Sequence, residues 1–283
     1  MVDLHMHSTA SDGTDNIEKL LKKVRESGIS VFSVTDHDTI EGSLEMEKIV
    51  PKDMTFIRGV EFSCKSDAGK FHLLAYNYDP SNKDILQLLD KAREKRRRKL
   101  ETRLDFLENE FGIKLSEEES ARLRSMNSVG KPHLGNLLVS KGLAPDKGTA
   151  IKKYIDPCST GSTRLNGIKV IKTVLLAGGI PVLAHPFGGT NEKEVSMEDF
   201  EKQLSILTEA GLQGLECYYS KYNEEQIKIL VKRAEDMDLC ISGGSDYHGK
   251  NKKVGLGTLN SYGLEVRESM LTLLERIKQK KTF

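Results

Sequence analysis

Short apolar runs alternate with amphipathic stretches over most of the chain, the pattern of βα units packed around a parallel sheet or barrel. The spacing predicts strands at 2–6, 31–35, 55–62, 71–77, 180–184, 213–217 and 239–243. Helices are expected between them at 15–27, 40–49, 167–178, 197–210, 223–237 and 264–280, with Ser196 and Asp199 opening the fourth in a box-like cap. Gly178-Gly179 reads as a helix C-terminal stop, not a phosphate loop. Seven strands in this alternation predict an α/β fold, a (β/α)7 TIM-like barrel. The alternation stops between about residues 80 and 165, where the chain becomes helical and charged. Helices are expected there at 82–111, 116–125, 132–141 and 146–155, punctuated by Pro80, Pro132, Pro145 and Pro157. The predicted organisation is a barrel domain from 1–79 and 165–283 with an inserted small helical domain at 80–164.

Composition narrows the function classes. The 283 residues can bury a sizeable core, and 43 Lys and Arg against 42 Asp and Glu leave a formal charge of +1, so the whole molecule has no field that would draw it to nucleic acid or membrane. Any basic site must be local, and the run from Lys91 through Lys99 reads first as a solvated helix face. Cys64, Cys158, Cys217 and Cys240 form no CxxC pair, which argues against a disulfide framework or a zinc ribbon. Residues 1–30 lack the pattern of a signal peptide, and no run approaches the ~20 apolar residues of a membrane span. A cytoplasmic protein with no membrane association and no obligate protein partner is the expectation.

Candidate chemistry lies at the strand ends. His5 and His7 alternate on the first strand, so both point to one side and can chelate one metal. Asp12 follows in a turn, His37 sits past the second strand and Glu61 near the end of the third. His72 lies on the fourth, His185 follows the fifth, and Asp246 and His248 follow the seventh. In a parallel α/β barrel such ends converge on one face, where active sites are built. Imidazole and carboxylate donors without thiolate suit Mn, Zn or Fe, with Mg possible, rather than Ca. Nine donors are too many for one tetrahedral ion, so two or three divalent ions are expected, with a carboxylate bridging.

The motifs DLHMHS at 3–8, SDG at 11–13, TDHD at 35–38, GVEFS at 59–63, LAHP at 183–186 and GSDYHG at 244–249 together resemble the PHP (polymerase and histidinol phosphatase) superfamily of metal-dependent phosphoesterases. Within it the chain is similar to bacterial enzymes with an inserted helical domain that act on nucleoside 3',5'-bisphosphates or short oligonucleotides. The resemblance implies a distorted barrel with a three-metal cluster. It places His5, His7, Glu61 and Asp246 on one metal, Glu61, His72 and His185 on a second, and Asp12, His37 and His248 on a third. It also implies a small phosphorylated substrate, a nucleotide or a short single-stranded nucleic acid, held by Lys131 and His133 of the insertion, with Arg164 or the basic helix as further candidates. Relatives often carry Arg at the position of Lys131 and another soon after the AHP motif, where this chain has Phe187-Gly188-Gly189-Thr190. Three alternatives stand beside the nucleotide reading: a histidinol-phosphate-type phosphatase, an amidohydrolase-like metallohydrolase, and a non-catalytic metal- or nucleic-acid-binding module.

Overall fold

The structure, a computed structural model, describes residues 1–162, 164–190 and 193–280. Strands β1 (Val2–Asp3), β2 (Val31–Phe32) and β3 (Thr55–Phe56) form a parallel three-stranded sheet. Strands β4 (Gly59–Ser66), β5 (Gly69–Tyr76), β6 (Leu165–Asn166), β7 (Ile180–Leu183), β8 (Gly214–Tyr219) and β9 (Cys240–Gly244) form a second sheet in the order β6-β4-β5-β7-β8-β9. The two sheets meet through isolated bridges, Met6 with Tyr247 and His37 with Glu61, and through the Leu4 N–H, which donates to the Gly243 carbonyl at 3.1 Å. Among the described residues the strand hydrogen bonding does not close a seven-stranded barrel.

Two expectations change for one reason. The predicted strand 55–62 is divided at Ile57-Arg58 into β3 and β4, which belong to different sheets, and β4 folds directly back on β5 with Ser66 opposite Gly69. A connection that short can only give antiparallel neighbours, since a parallel pair needs a crossover of a dozen or more residues. The sheet is therefore mixed, with β5 antiparallel to both β4 and β7. That register sets Ser63 opposite His72, so His72 shares a face with Ser63 and Glu61.

Helices α1 (Ile17–Glu26) and α2 (Glu41–Ile49) cover the small sheet. In α1 the apolar positions Ile17, Leu20 and Val24 face inward at helical spacing, and the Asn16 side chain caps the first turn by accepting from the Lys19 N–H at 3.0 Å. The insertion comprises α3 (Lys83–Phe111), α4 (Glu117–Ser125), α5 (Lys131–Ser140) and α6 (Lys147–Ala150), the last running into a π-helical turn, Ile151–Ile155. Then come α7 (Gly167–Leu176), α8 (Met197–Glu209), α9 (Glu224–Asp236) and α10 (Leu273–Lys280). The helix expected from 264 starts only at Leu273, after a 3-10 turn at Glu268–Met270, and the Thr272 hydroxyl just before it accepts from the Ile241 N–H of β9 at 2.8 Å.

Helix α3 joins two cores. Its first half buries Ile85, Leu88, Leu89 and Ala92 against the large sheet, whereas Leu100 and Leu107 pack with Leu123, Leu134, Leu138 and Tyr154 in a separate apolar cluster. The insertion thus has a core of its own, and each fully buried leucine in it contributes about 1.5–3 kcal/mol. No helix among the described residues is long and apolar enough to cross a membrane.

Candidate metal centre

The nine donors read from the sequence come together where the two sheets meet. His5 and His7 run on from β1, and β9 approaches them closely enough that a Cβ on Gly244 would lie 2.2 Å from that of His5. Only glycine fits there. Asp38, His185 and Asp246 have left-handed backbones, with φ of 53°, 28° and 58°. Such residues cost about 1–3 kcal/mol each and persist where the surroundings over-determine them.

Glu61 is the hub. It is fully buried, and its two carboxylate oxygens face different imidazoles. Oε2 lies 3.2 Å from His5 Nε2, 3.1 Å from His7 Nε2 and 3.0 Å from His37 Nδ1. Oε1 lies 3.0 Å from His72 Nδ1 and 3.1 Å from His185 Nε2. Asp246 Oδ1 stands 3.3 Å from His7 Nε2 and 3.6 Å from His5 Nε2, and Asp12 Oδ1 stands 3.2 Å from His248 Nε2. Three donor groups have atoms within 4.8 Å of one another: His5, His7, Glu61 and Asp246; His37, Glu61 and His72; and His7, Asp12, His37 and His248.

These donors fit divalent cations better than they fit one another. His5 Nε2, His7 Nε2, His37 Nδ1, Asp12 Oδ1 and Glu61 Oε2 are buried with no hydrogen-bond partner, a costly state that a shared cation relieves. Burial alone would raise the Glu61 carboxyl, but His37, His5 and His72 outweigh it and hold it well below the usual carboxylate range. Asp12 is held low in the same way by His248 and His37, and Asp246 by Lys252 and His248. Burial pushes His37 and His248 down, toward the neutral form that binds metal. Burial also opposes the charge on His7, but Asp246 and Glu61 prevail and lift it to about 9.

Four supporting groups escape a reading by sequence. Glu216 is fully buried in β8, accepts from His5 Nδ1–H at 2.8 Å and takes the His185 N–H at 2.7 Å. That bond turns His5 Nε2 toward the centre. Asp36 is fully buried and accepts from the Ser8 N–H at 2.8 Å and from the Ser8 and Ser11 hydroxyls, both at 2.6 Å, fixing the turn that carries Asp12. Tyr219 OH, at 2.8 Å, and Lys252 Nζ donate to the outer oxygen of Asp246. A carboxylate within an apolar strand, Leu215-Glu216-Cys217, was a signal available in the sequence; for Lys252 there was none.

Above the donors opens a cavity of about 630 Å³ between the sheets and the insertion. One wall carries Asp12, His37, Glu61, His72, His185, Asp246 and His248, and the other carries Arg96, Lys99 and Arg103 of α3 with Lys131 and Arg164. Arg103 is buried and its Nε has no hydrogen-bond partner. Arg164 Nη1 donates to the Phe71 carbonyl at 2.9 Å, and Lys131 Nζ donates to Asp156. His133 does not line the cavity: its Nδ1 accepts from the Gly130 N–H at 3.0 Å to cap α5, and its ring also hydrogen-bonds the Ser11 backbone beside Asp12.

A thiolate-free cluster of histidines and carboxylates where two sheets of an α/β fold meet is a candidate metal site by its donor chemistry. The chain belongs to the PHP domain family, whose model matches residues 3–156. It is 28% identical over 279 residues to a 5'-3' exoribonuclease of Haemophilus influenzae, covering 97% of this chain and 98% of that one. It is 26% identical over 260 residues to a phosphoribosyl 1,2-cyclic phosphate 1,2-diphosphodiesterase of Eggerthella lenta, covering 89% and 95%. A solved structure from Bifidobacterium adolescentis, assigned as a metal-dependent phosphoesterase, superposes with a TM-score of 0.81 at 26% identity over 99% of this chain and 96% of that one.

Proposed function

We propose that this protein is a metal-dependent hydrolase that cleaves a phosphate ester of a nucleotide-type substrate, a nucleoside bisphosphate or a short oligonucleotide. The observation that carries the reading is the cavity with two unlike walls, metal donors on one side and Arg96, Lys99 and Arg103 on the other. A substrate suited to both has a phosphate to present to metals and further negative charge to present to cations. The two relatives act, by their names, on RNA and on a phosphoribosyl cyclic phosphate, both phosphate esters of ribose.

In this reading His5, His7, Glu61 and Asp246 would hold one ion, Glu61 with His72 and His185 a second, and Asp12, His37 and His248 a third. Mn, Zn or Fe suits these donors. Bound divalent ions supply charge at the phosphate oxygens and a nucleophile from water at neutral pH. Residues 80–164 serve as a substrate-side domain. Lys99 and Arg103, with Lys131 and Arg164 at the edges, bind charge that the metals do not, while His133, read from the sequence as a substrate contact, holds α5 against the turn of Ser11 and Asp12.

The test is a substrate panel on protein whose metal content is known by elemental analysis. Removing the metals abolishes hydrolysis, and re-adding Mn restores it. Arg103→Met keeps the metal content but weakens turnover of a nucleoside 3',5'-bisphosphate roughly ten- to a hundred-fold, the value of one charge-assisted hydrogen bond, while sparing a small generic phosphate ester. Full activity in metal-free protein would overturn the hydrolytic reading. An unchanged substrate ratio in Arg103→Met would overturn the basic wall.

A further inference from the structure

Beside the contact of His133 with the Ser11 backbone, the insertion grips the metal-bearing loops on each side of the cavity. On one side Arg96 Nε donates to Asp38 Oδ2 at 2.9 Å and its Nη2 to the Ser63 hydroxyl at 3.1 Å, immediately beside His37. On the other, Lys147, the first residue of α6, donates through Nζ to the Asn251 carbonyl at 2.9 Å and to Asn251 Oδ1 at 2.8 Å. Asn251 in turn donates from Nδ2 to the Asp12 carbonyl at 2.7 Å and from its backbone N–H to the His248 carbonyl at 3.3 Å. The loops held in this way carry Asp12, His37 and His248, which belong to one donor group. The donors at the hub of the site are placed instead by the strands and by Glu216.

The chemistry of the Lys147 contact is directional. An ammonium can only donate, so it draws the oxygen end of the Asn251 amide to itself. That leaves the NH2 end for the Asp12 carbonyl. The flipped amide would set its NH2 against the ammonium and its oxygen against the Asp12 carbonyl, two repulsive contacts in place of two hydrogen bonds. Lys147, backed by Asn136 of α5, whose Nδ2 donates to the same Oδ1 at 3.4 Å, therefore selects the one amide orientation that ties down the turn bearing the Asp12 carboxylate.

We propose that Lys147 is a positioning residue for the outermost cation site. Through Asn251 and Asp12, docking of the insertion sets the affinity of the Asp12, His37 and His248 group for its metal. By linkage, filling that site favours the docked insertion to the same degree. The inference rests on the reading of these residues as metal ligands.

The experiment is a calorimetric titration of substrate-free protein with Mn(II), supported by elemental analysis after gel filtration. It compares wild type, Lys147→Met, Lys147→Arg, Asn251→Ala and the double variant Lys147→Met/Asn251→Ala, with circular dichroism and Tm as folding controls. Lys147→Met should weaken one class of bound ion by about 10–100-fold, the usual effect of losing a metal site's supporting group, and leave the tighter ions unchanged. Lys147→Arg should recover most of that loss. The double variant should be no worse than Asn251→Ala, because both residues act along one chain of contacts. Wild-type titration in Lys147→Met, or a loss confined to Asn251→Ala, overturns Lys147 as the positioning residue. Absence of Mn uptake by wild type overturns the metal reading itself, a result distinct from either.

Discussion

Each oxygen of Glu61 meets its own set of imidazoles, three at Oε2 and two at Oε1. A change here reaches two donor groups at once, whereas a change at His5 or His248 reaches the groups on one side. Glu61→Gln keeps the volume and removes the charge, and it should lower both the number of ions per chain and the rate, the latter by at least ~10–100-fold. Elemental analysis and steady-state rates on the same preparation check this, and retention of both would remove Glu61 from the centre. The convergence of these nine residues was legible in the sequence because His and carboxylates on or just beyond apolar strands are few and stand out from their surroundings. The groups that orient them were not, because Asp36 and Glu216 act through ordinary carboxylate contacts whose partners, Ser8 and His5, lie 28 and 211 positions away.

At the scale of elements, the helix of 82–111 was legible as a charged helical stretch whose basic run reads as a solvated face, but that run of cations does not face one way. Arg98 pairs with Glu94 on the open surface, while Arg96, Lys99 and Arg103 recur at helical spacing on the cavity side. The face is set by where the apolar half of α3 docks, which local pattern does not specify. The strand divided at Ile57-Arg58 has the same origin, since sheet membership is decided by partners distant in sequence. The inward face has a testable electrostatic consequence. Burial, then the charges of Arg103 and Arg96, push the Lys99 ammonium down to about 8. Its cation is therefore present below that pH and lost as pH rises through it. KM for an anionic substrate should climb above about pH 8 with kcat little changed, and Lys99→Arg, which stays charged, should flatten the rise. A KM profile identical in wild type and Lys99→Arg would take Lys99 out of recognition.

Over the whole molecule, two cores meet across the site: the sheet core, which runs into the first half of α3, and the insertion's own cluster around Leu107 and Leu138. The cavity between them gathers carboxylates and imidazoles whose buried atoms lack hydrogen bonds, each such atom costing about 1–3 kcal/mol. Metal binding that repays this cost belongs to the native state alone, because the donors span His5 to His248 and come together only on folding. A ligand of that kind stabilises by about 2.7 kcal/mol at a free concentration one hundred times its Kd. At about 2–4 °C per kcal/mol for a chain of this size, that corresponds to a shift in Tm of roughly 5–10 °C per strongly bound ion. Scanning calorimetry of metal-loaded protein, of the same protein after chelation and dialysis, and after Mn is restored should show Tm falling and then recovering. The recovery distinguishes loss of the ions from irreversible damage. Equal Tm values in all three states would mean that the donors satisfy one another without a cation, and the five orphaned atoms would then need another account.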